Sequence, residues 1–194
     1  MLYIFYEEFL MKYYHVSTLG GLNVLEPRVS THGKAYVYAT SNLELSLLFG
    51  SKKSYGDFDG IYGTKNGKPF FYEAYVGAFK RRFENESCYI YEVPIENFEH
   101  GKTNFKAEVV SEKPVKVLSC TKVDDLHKFL LRLVSENKIE LKEFQDTKAY
   151  KDMINHHISD RLIRYDTLQK CSSHFYKFLK EKFPSVVKKI ENTI

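Results

Sequence analysis

The chain has no tryptophan, only three cysteines and no long apolar run, and each shortage excludes a class of protein. Cys88, Cys120 and Cys171 are far apart and show no C-x-x-C spacing, so neither a disulfide framework nor a structural zinc site is expected. No apolar stretch approaches the roughly 20 residues that a membrane-spanning helix requires. Residues 1–14 carry two glutamates and no basic segment, which is unlike a signal peptide. We therefore expect a reducing, cytoplasmic location and no membrane partner.

Signature motifs of several large enzyme classes are missing too. The chain contains no Walker A loop, no G-x-G-x-x-G, no H-E-x-x-H and no G-x-S-x-G. Kinases, Rossmann dehydrogenases, zinc peptidases and α/β-hydrolases therefore have no support. Positive charge is in small excess, with 29 Lys and Arg against 25 Asp and Glu, so the net charge alone does not identify a nucleic-acid binder. The chain is rich in rings, with 15 Tyr and 15 Phe, which can build a core and also stack on a flat heterocycle.

Hydrophobic patterning predicts an α+β protein, β-rich in its first two thirds and helical in its last third. Runs of aromatic and β-branched residues are typical of strands, and Asn-Gly between two such runs predicts a hairpin turn. The predicted strands and turn cover residues 13–17, 35–40, 69–79, 87–93 and 108–118 and Asn66-Gly67. From Val123 onward the apolar residues recur at helical spacing, and no glycine follows Gly101.

Capping signals place the helices. Ser41 or Asn42 can cap a short helix through Phe49 that Gly50 ends. The other predicted elements are a helix or strand over 2–12, a helix from 123, and helices over 147–168, 172–183 and from Pro184 onward. We expect an antiparallel or mixed β-rich domain over residues 1–121, with a helical extension packed on it over residues 122–194.

A region rich in motifs lies between residues 13 and 40. It contains Tyr14-His15-Val16-Ser17, then Leu25-Glu26-Pro27-Arg28, then Gly33-Lys34-Ala35-Tyr36-Val37-Tyr38-Ala39-Thr40, and a predicted helix follows. This order resembles the ADP-ribosyltransferase superfamily, in its diphtheria-toxin and poly(ADP-ribose) polymerase branch. The resemblance covers about residues 13–118 and implies an ADP-ribosyltransferase-like fold for the N-terminal part.

The resemblance also implies a cofactor and a reaction. Members of the family bind NAD⁺ and transfer its ADP-ribose to a protein or nucleic-acid acceptor. Their histidine hydrogen-bonds the adenosine-side ribose, and their tyrosine stacks on the cationic nicotinamide ring, for which a π face is suited. Their glutamate stabilises the positive charge that builds up as nicotinamide leaves.

Two of these roles map onto the first motifs. His15 matches the family's histidine, and Ser17 follows two residues later. Tyr36 and Tyr38 lie two residues apart and so share one face of a strand, and either can stack on nicotinamide, with Tyr38 favoured. We expect His15 and the tyrosine to face one cleft. Val16 stands where several branches of the family have glycine.

The glutamate has two candidates. The resemblance points to Glu108, which precedes an apolar strand, and Glu112 is the second choice. Each role has a structural alternative: a strand histidine is commonly a core residue, a strand tyrosine is commonly half-buried, and Glu108 can be an exposed edge charge.

Other polar clusters carry weaker signals. His156-His157 with Asp160, and Cys171 with His174, have spacings that suit a metal on one helix face, but no third ligand is indicated, so we expect no metal site. Lys80-Arg81-Arg82 either binds phosphates or ends a strand. Residues 170–189 contain six lysines and one glutamate, which fits a nucleic-acid surface or an ordinary helix exterior.

Three functions compete. The first is an NAD⁺-dependent transferase, and the second is a non-catalytic module on the same fold that binds NAD⁺, a related nucleotide or a partner. The third is a small protein of bacterial or phage type that acts through protein contacts alone. A glutamate close to His15 would distinguish the first from the second.

Overall fold

The computed structural model describes residues 11–29, 33–164 and 172–192. Most of the element expected over 2–12 lies outside these residues, as do Cys171 and the end of the helix expected over 147–168. The described part combines helices with antiparallel and mixed sheets, so the expected α+β class is confirmed. No helix within these ranges is both long and apolar enough to cross a membrane.

Two compact units make up the chain, and each is built from two segments. Unit 1 comprises Met1–Ser51 and Asn85–Leu130, and unit 2 comprises Lys52–Glu84 and Leu131–Ile194. This arrangement differs from the expected division into 1–121 and 122–194. Residues 52–84 belong with the C-terminal segment because a short strand of that segment adds to their hairpin in parallel.

The strands of unit 1 form antiparallel sheets. They are β1 (Lys12–Ser17), β2 (Val24–Leu25), β3 (Arg28–Val29), β4 (Ala35–Ala39), β7 (Cys88–Pro94), β8 (Glu99–His100), β9 (Val109–Ser111), β10 (Val115–Lys116) and β11 (Ser119–Val123). The orders of the sheets are β1-β7-β11, β3-β4-β9-β8 and β10-β2. Their inward faces bury an apolar cluster that includes Val37, Ala39, Tyr91, Val93 and Val109.

A short helix, α1 (Leu43–Leu47), follows β4 directly. The Asn42 side chain accepts a hydrogen bond from the backbone N–H of Leu45 at 2.7 Å, so the predicted N-cap is confirmed. Behind the helix, Gly50 is packed so tightly that a Cβ there would lie 3.1 Å from Val16, from Cys88 and from Leu126. The start of α1 is therefore fixed by the Asn42 cap, and the chain after its end is fixed by close packing at Gly50.

Unit 2 contains a three-stranded sheet and most of the helical residues. Its strands are β5 (Gly60–Lys65), β6 (Lys68–Glu73) and β12 (Glu140–Lys142), and its helices are α2 (Ala78–Phe83), the end of α3 (Leu126–Ser135), α4 (Lys148–Arg164), α5 (Ser173–Lys182) and α6 (Pro184–Glu191). Asn66 and Gly67 both have positive φ, 52° and 77°, which confirms the hairpin between β5 and β6. Tyr150, Ile154 and Ile158 recur every four residues and direct one face of α4 into the core.

The strand predicted over 69–79 ends early. β6 stops at Glu73, and α2 begins at Ala78 after Gly77, which has a positive φ of 75°. The buried Glu73 carboxylate accepts the backbone N–H of Phe79 at 2.8 Å and so caps the helix from outside it. Lys80-Arg81-Arg82 therefore lie in a helix and do not end a strand.

The strand predicted over 108–118 divides into two. β9 ends at Ser111, whose hydroxyl bonds the backbone of Lys113 at 3.0 and 3.1 Å and turns the chain. After Pro114, β10 pairs with β2 in a different sheet. Patterning indicated the interruption at Pro114 but neither β11, which is largely exposed, nor β12, which has only three residues.

Candidate functional site

One edge of β4 is shared by two strands that leave a gap between them. Thr40, just after β4, exchanges two backbone hydrogen bonds with Tyr14 of β1, at 2.8 and 3.0 Å. Tyr36 pairs with Arg28 of β3. Alternate residues of a strand direct their backbone polar groups to the same edge. The carbonyl of Tyr38, midway between Tyr36 and Thr40, therefore faces the gap.

The side chain of His15 occupies this gap. Its Nδ1 lies 2.8 Å from the Tyr38 carbonyl oxygen. A carbonyl only accepts, so Nδ1 carries the hydrogen. Burial lowers the pKa of His15, the hydrogen bond to Tyr38 raises it, and the charge of Arg28 lowers it further, with a net lowering. The imidazole is therefore neutral at pH 7, and its Nε2 presents a lone pair.

Nε2 of His15 is the open position of the ring. Among the described residues no hydrogen bond to this atom is present, and the residue is only partly buried. The ring lies 6.2 Å from the ring of Tyr91, its cross-strand partner on β7, at an angle of 43°. The site thus offers an oriented acceptor next to an aromatic wall.

Ser17 lies two residues further along β1, on the same face as His15. Its hydroxyl oxygen accepts the backbone N–H of Leu19 at 3.1 Å, which leaves its hydrogen for another acceptor. The loop after β1 is held by the Tyr91 hydroxyl, which donates to the carbonyl of Leu19 at 2.7 Å. Tyr89 covers Gly20 so closely that a Cβ there would lie 2.4 Å from its ring, so any larger residue would have to displace that ring.

Arg28 lies near this group, since its charge helps to lower the pKa of His15, but its pairing with Tyr36 puts its side chain on the face of β4 that carries Tyr36. Sequence reasoning assigned it no role. It is exposed on β3, and within the described ranges it forms no ion pair. Its pairing with Tyr36 brings it to the gap, and a pairing between strands this short leaves no periodic pattern in the sequence. A neutral acceptor and a hydroxyl on one face of the sheet, with a cation at the same edge of β4, suit a ligand that has both hydroxyl groups and negative charge and that reaches around this edge.

The two candidate tyrosines lie on the other face of β4. Their rings are 5.8 Å apart and edge to face, so the expectation that Tyr36 and Tyr38 share a face is confirmed. Val37 and Ala39 alternate with them and enter the core that also contains Tyr91, the partner of His15. The structure thus brings His15 to the backbone of Tyr38 but to neither tyrosine ring, which differs from the expected common cleft.

The strand register puts neither Glu108 nor Glu112 next to Nε2 of His15. Glu112 follows the Ser111–Val37 pair, which puts it across from Tyr36 on the tyrosine face. There it binds Lys34 at 2.5 Å, and this hydrogen bond lowers the pKa of Glu112. Glu108 lies in the turn before β9, with its backbone N–H bonded to the carbonyl of Phe105 at 3.0 Å. That turn comes next to Thr40, where β4 meets β1.

The weaker sequence signals have structural explanations. His156 and Asp160 form an exposed pair on α4 with 3.4 Å between Nε2 and Oδ2. No group of three or more potential ligands within the described ranges could hold a metal. Lys80 pairs with Glu84 one turn later at 3.5 Å. Arg82 is buried and donates to the carbonyl of Gly56, so it is part of the structure of unit 2.

A buried ion pair in unit 2 escaped sequence reasoning. Asp59 is fully buried, and Nη1 of Arg81 lies 2.6 and 2.7 Å from its two carboxylate oxygens. The Tyr75 hydroxyl also donates to Asp59, and Nη2 of Arg81 donates to the carbonyl of Ser54 at 2.9 Å. Burial raises the pKa of Asp59, while Tyr75, Arg81 and Arg82 oppose the rise. This network ties the loop after residue 51 to α2.

The chain matches no protein-family model, no curated protein and no solved structure. The resemblance to ADP-ribosyltransferases therefore depends on the short motifs between residues 13 and 118 alone.

Proposed function

We propose that unit 1 is a nucleotide-binding module, with NAD⁺ as its first candidate ligand, and that it binds without turnover. The observation that carries this proposal is the state of His15. Its Nδ1–H is fixed on the Tyr38 carbonyl, its pKa is lowered, and its Nε2 has no hydrogen-bond partner among the described residues. Such a nitrogen accepts a hydrogen bond from a hydroxyl, as a ribose ring supplies.

The neighbouring groups extend the argument from a hydroxyl to a nucleotide. Arg28 supplies a positive charge with no ion-pair partner among the described residues, and Ser17 supplies a hydroxyl hydrogen. A ribose provides donors for His15, and a pyrophosphate provides acceptors for Ser17 and, at the edge of β4, for Arg28. The family resemblance, in which a histidine at this strand position binds the ribose of NAD⁺, supports the choice of a dinucleotide.

The position of Glu112 argues for binding without turnover. A transferase needs a carboxylate at the nicotinamide ribose, where positive charge develops in the transition state. Glu112 is instead paired with Lys34 on the tyrosine face of β4. The proposal therefore assigns no catalytic role to it.

Binding is tested with a variant that separates the two nitrogens of His15. In His15→Asn the amide nitrogen takes the place of Nδ1, so the bond to the Tyr38 carbonyl is kept and the Nε2 acceptor is lost. Isothermal titration with NAD⁺, ADP-ribose and adenosine should show at least about tenfold weaker binding of all three, the value of one hydrogen bond of roughly 1.4 kcal/mol. His156→Asn, at an exposed histidine of unit 2, is the matched control and should bind like the wild type.

A second variant tests the cation. Arg28→Gln should weaken the binding of NAD⁺ and ADP-ribose but leave adenosine unchanged, because adenosine has no phosphate. Wild-type binding is checked independently by thermal unfolding, since a ligand at a hundredfold excess over its Kd stabilises by about 2.7 kcal/mol. If millimolar NAD⁺ gives no shift, or if His15→Asn binds as well as the wild type, the proposal is wrong.

Turnover is measured as nicotinamide release without an acceptor. The proposal expects none from the wild type. If the wild type releases nicotinamide and Glu108→Gln reduces the rate by about a hundredfold to a thousandfold while NAD⁺ still binds, the protein is a transferase with Glu108 as its carboxylate. Glu112→Gln is the matched control for that variant.

A further inference from the structure

The charges of the chain are divided unequally between its two units. Unit 2 contains 20 Lys and Arg against 13 Asp and Glu, a net charge of +7, whereas unit 1 contains 9 against 12, a net charge of −3. The overall charge of +4 conceals this difference. An excess of one sign confined to one unit indicates a surface for a partner of opposite charge.

Part of this excess lies on the last two helices. Between Ser173 and Asn192 there are five lysines and two glutamates. The apolar side chains of α5 and α6 are buried in the core of unit 2: Phe175, Leu179, Val186, Val187 and Ile190. The lysines lie on the outside of both helices: Lys177, Lys180, Lys188 and Lys189 are exposed, and Lys182 is partly exposed.

Lys180 contacts α6, and two further lysines lie one turn away from the residues of this contact. Lys180 of α5 lies 3.6 Å from Glu191 near the end of α6, so the two helices are adjacent at this point. Lys177 lies three residues before Lys180, and Lys188 lies three residues before Glu191, and residues at this spacing are neighbours on a helix surface. We refer to Lys177, Lys180 and Lys188 as the basic face.

The basic face is not neutralised by its own glutamates. Glu191 bonds both Lys180 and the Tyr176 hydroxyl, and Glu181 pairs with Lys182 at 2.8 Å. The pKa of Glu181 is lowered by its hydrogen bond to Lys182 and less strongly by the charge of Lys177. Neither Lys177 nor Lys188 forms an ion pair within the described ranges. Two of the three lysines are therefore available to an anion.

We propose that the basic face binds the phosphate backbone of a nucleic acid. A nucleic acid presents closely spaced negative charges, and neutralising them with lysines releases counterions, which drives binding. The helices do not suit an anionic membrane, since none of the large exposed apolar side chains found in the structure lies on α5 or α6. The inference is independent of the nucleotide proposal because all of its residues lie in unit 2.

The test compares two triple variants that change the net charge equally. One replaces Lys177, Lys180 and Lys188 with Gln, and the control replaces Lys106, Lys113 and Lys116, which are exposed in unit 1, with Gln. Anisotropy of labelled DNA and RNA strands of about 20 nucleotides, longer than the ~4–16-nucleotide footprint of a small module, measures Kd against salt. Far-UV circular dichroism verifies that both variants are folded.

The wild type should bind in low salt with a Kd that rises steeply as salt is added. The basic-face variant should bind at least about tenfold more weakly, and its slope of log K against log salt should be smaller by about 2, since each lost phosphate contact removes about 0.7 to 0.9. The control variant should keep the wild-type slope. Equal losses in both variants would mean that net charge acts alone, and would overturn the proposal.

Two further outcomes would also overturn it. One is that the wild type fails to bind either nucleic acid in low salt. The other is that it binds vesicles of phosphatidylcholine with about one third phosphatidylserine through the same lysines but no nucleic acid, which would make the surface a membrane contact.

Discussion

The ion pair between Asp59 and Arg81 predicts an asymmetry between two substitutions. The Asp59 side chain is fully buried, whereas 32% of the Arg81 side chain is exposed. Removing Arg81 leaves a buried carboxylate without its main partner, and removing the charge of Asp59 leaves a guanidinium that water can still reach. Arg81→Met should therefore cost more stability than Asp59→Asn, although both break the same pair.

The magnitudes follow from what each variant leaves behind. Asp59→Asn keeps one accepting oxygen and so loses one of the two charge-assisted hydrogen bonds, which should cost about 1.5 to 3 kcal/mol. Arg81→Met keeps the packing length of the side chain over Phe178, whose ring centre lies 5.1 Å from the guanidinium carbon. Breaking a buried pair in this way costs about 3 to 5 kcal/mol. The variant can avoid the cost of a buried charge by binding a proton at Asp59. Protonating an aspartate of ordinary pKa, about 4, costs about 1.4 kcal/mol for each pH unit above that pKa, so at pH 7 the charge contributes at most about 4 kcal/mol to the loss of stability.

Protonation of Asp59 also determines how the free energy of unfolding of Arg81→Met changes with pH. Burial raises the pKa of Asp59 in the folded state, and Arg81 opposes the rise. Without Arg81 the folded carboxyl binds a proton more readily than the unfolded one, so the free energy of unfolding of the variant falls as pH rises above about 4. Relative to the wild type, the deficit of Arg81→Met should be largest near pH 7 and should shrink by up to about 1.4 kcal/mol for each pH unit of acidification.

Urea titrations followed by far-UV circular dichroism measure these differences, because the chain has no tryptophan to report by fluorescence. Arg132→Met is the control, since Arg132 is 59% exposed and lies 3.8 Å from Glu136 in a surface ion pair; it should cause no measurable loss. If Asp59→Asn proves as costly as Arg81→Met, or if the deficit of Arg81→Met is the same at pH 5 and pH 7, within about 0.5 kcal/mol, the reasoning from burial fails.

Other substitutions test the remaining local arguments. Glu73→Gln should lower the free energy of unfolding by about 1 to 3 kcal/mol in a urea titration, because only one of its two accepting oxygens survives. Gly60→Ala should abolish cooperative unfolding, since its Cβ would lie 2.6 Å from a backbone oxygen, whereas Gly67→Ala has open space and should cost only about 1 kcal/mol for its positive φ; equal costs would contradict this. Asn42→Ala should cost about 1 kcal/mol through the lost N-cap, and Asn42→Asp should restore most of it. Because the folded pKa of His15 lies below its unfolded value, the free energy of unfolding of the wild type should fall as pH drops below about 6.5, and His15→Asn should lack this loss.

Sequence patterning predicted the elements whose signals are local. The Asn66-Gly67 turn needs only two residues with positive φ, and the N-cap at Asn42 needs only one side chain. The end of β6 could not be predicted in this way. Residues 74–79 are as apolar and aromatic as a strand, and they form a turn and a helix because Glu73 caps α2 from inside the core. A carboxylate that caps a helix by tertiary contact leaves no periodic trace in the sequence.

The organisation into units depends on pairing at long range. β12 has only three residues, and it lies in parallel beside β6, some 70 residues earlier in the chain. Strands this short carry too little pattern to be separated from a loop. The candidate site was anticipated at His15 and Ser17, but the position of Arg28 and the separation of His15 from the tyrosine rings follow from how β1 and β3 divide the edge of β4.

A purely structural role for His15 explains its Nδ1 but not its Nε2. A residue that merely closes the gap at the Tyr38 carbonyl needs one donor at the place of Nδ1, and an asparagine supplies it with a smaller, uncharged side chain. The imidazole adds Nε2, for which the described residues hold no hydrogen-bond partner, and a titratable group whose lowered pKa makes the folded protein sensitive to acid. A second nitrogen that the fold does not use, with a cation that forms no ion pair at the same edge of β4, is the arrangement expected when a ligand supplies the missing partner. Stability of His15→Asn at or above that of the wild type, together with lost nucleotide binding, would establish that the imidazole serves the ligand; unchanged binding would return His15 to a purely structural role.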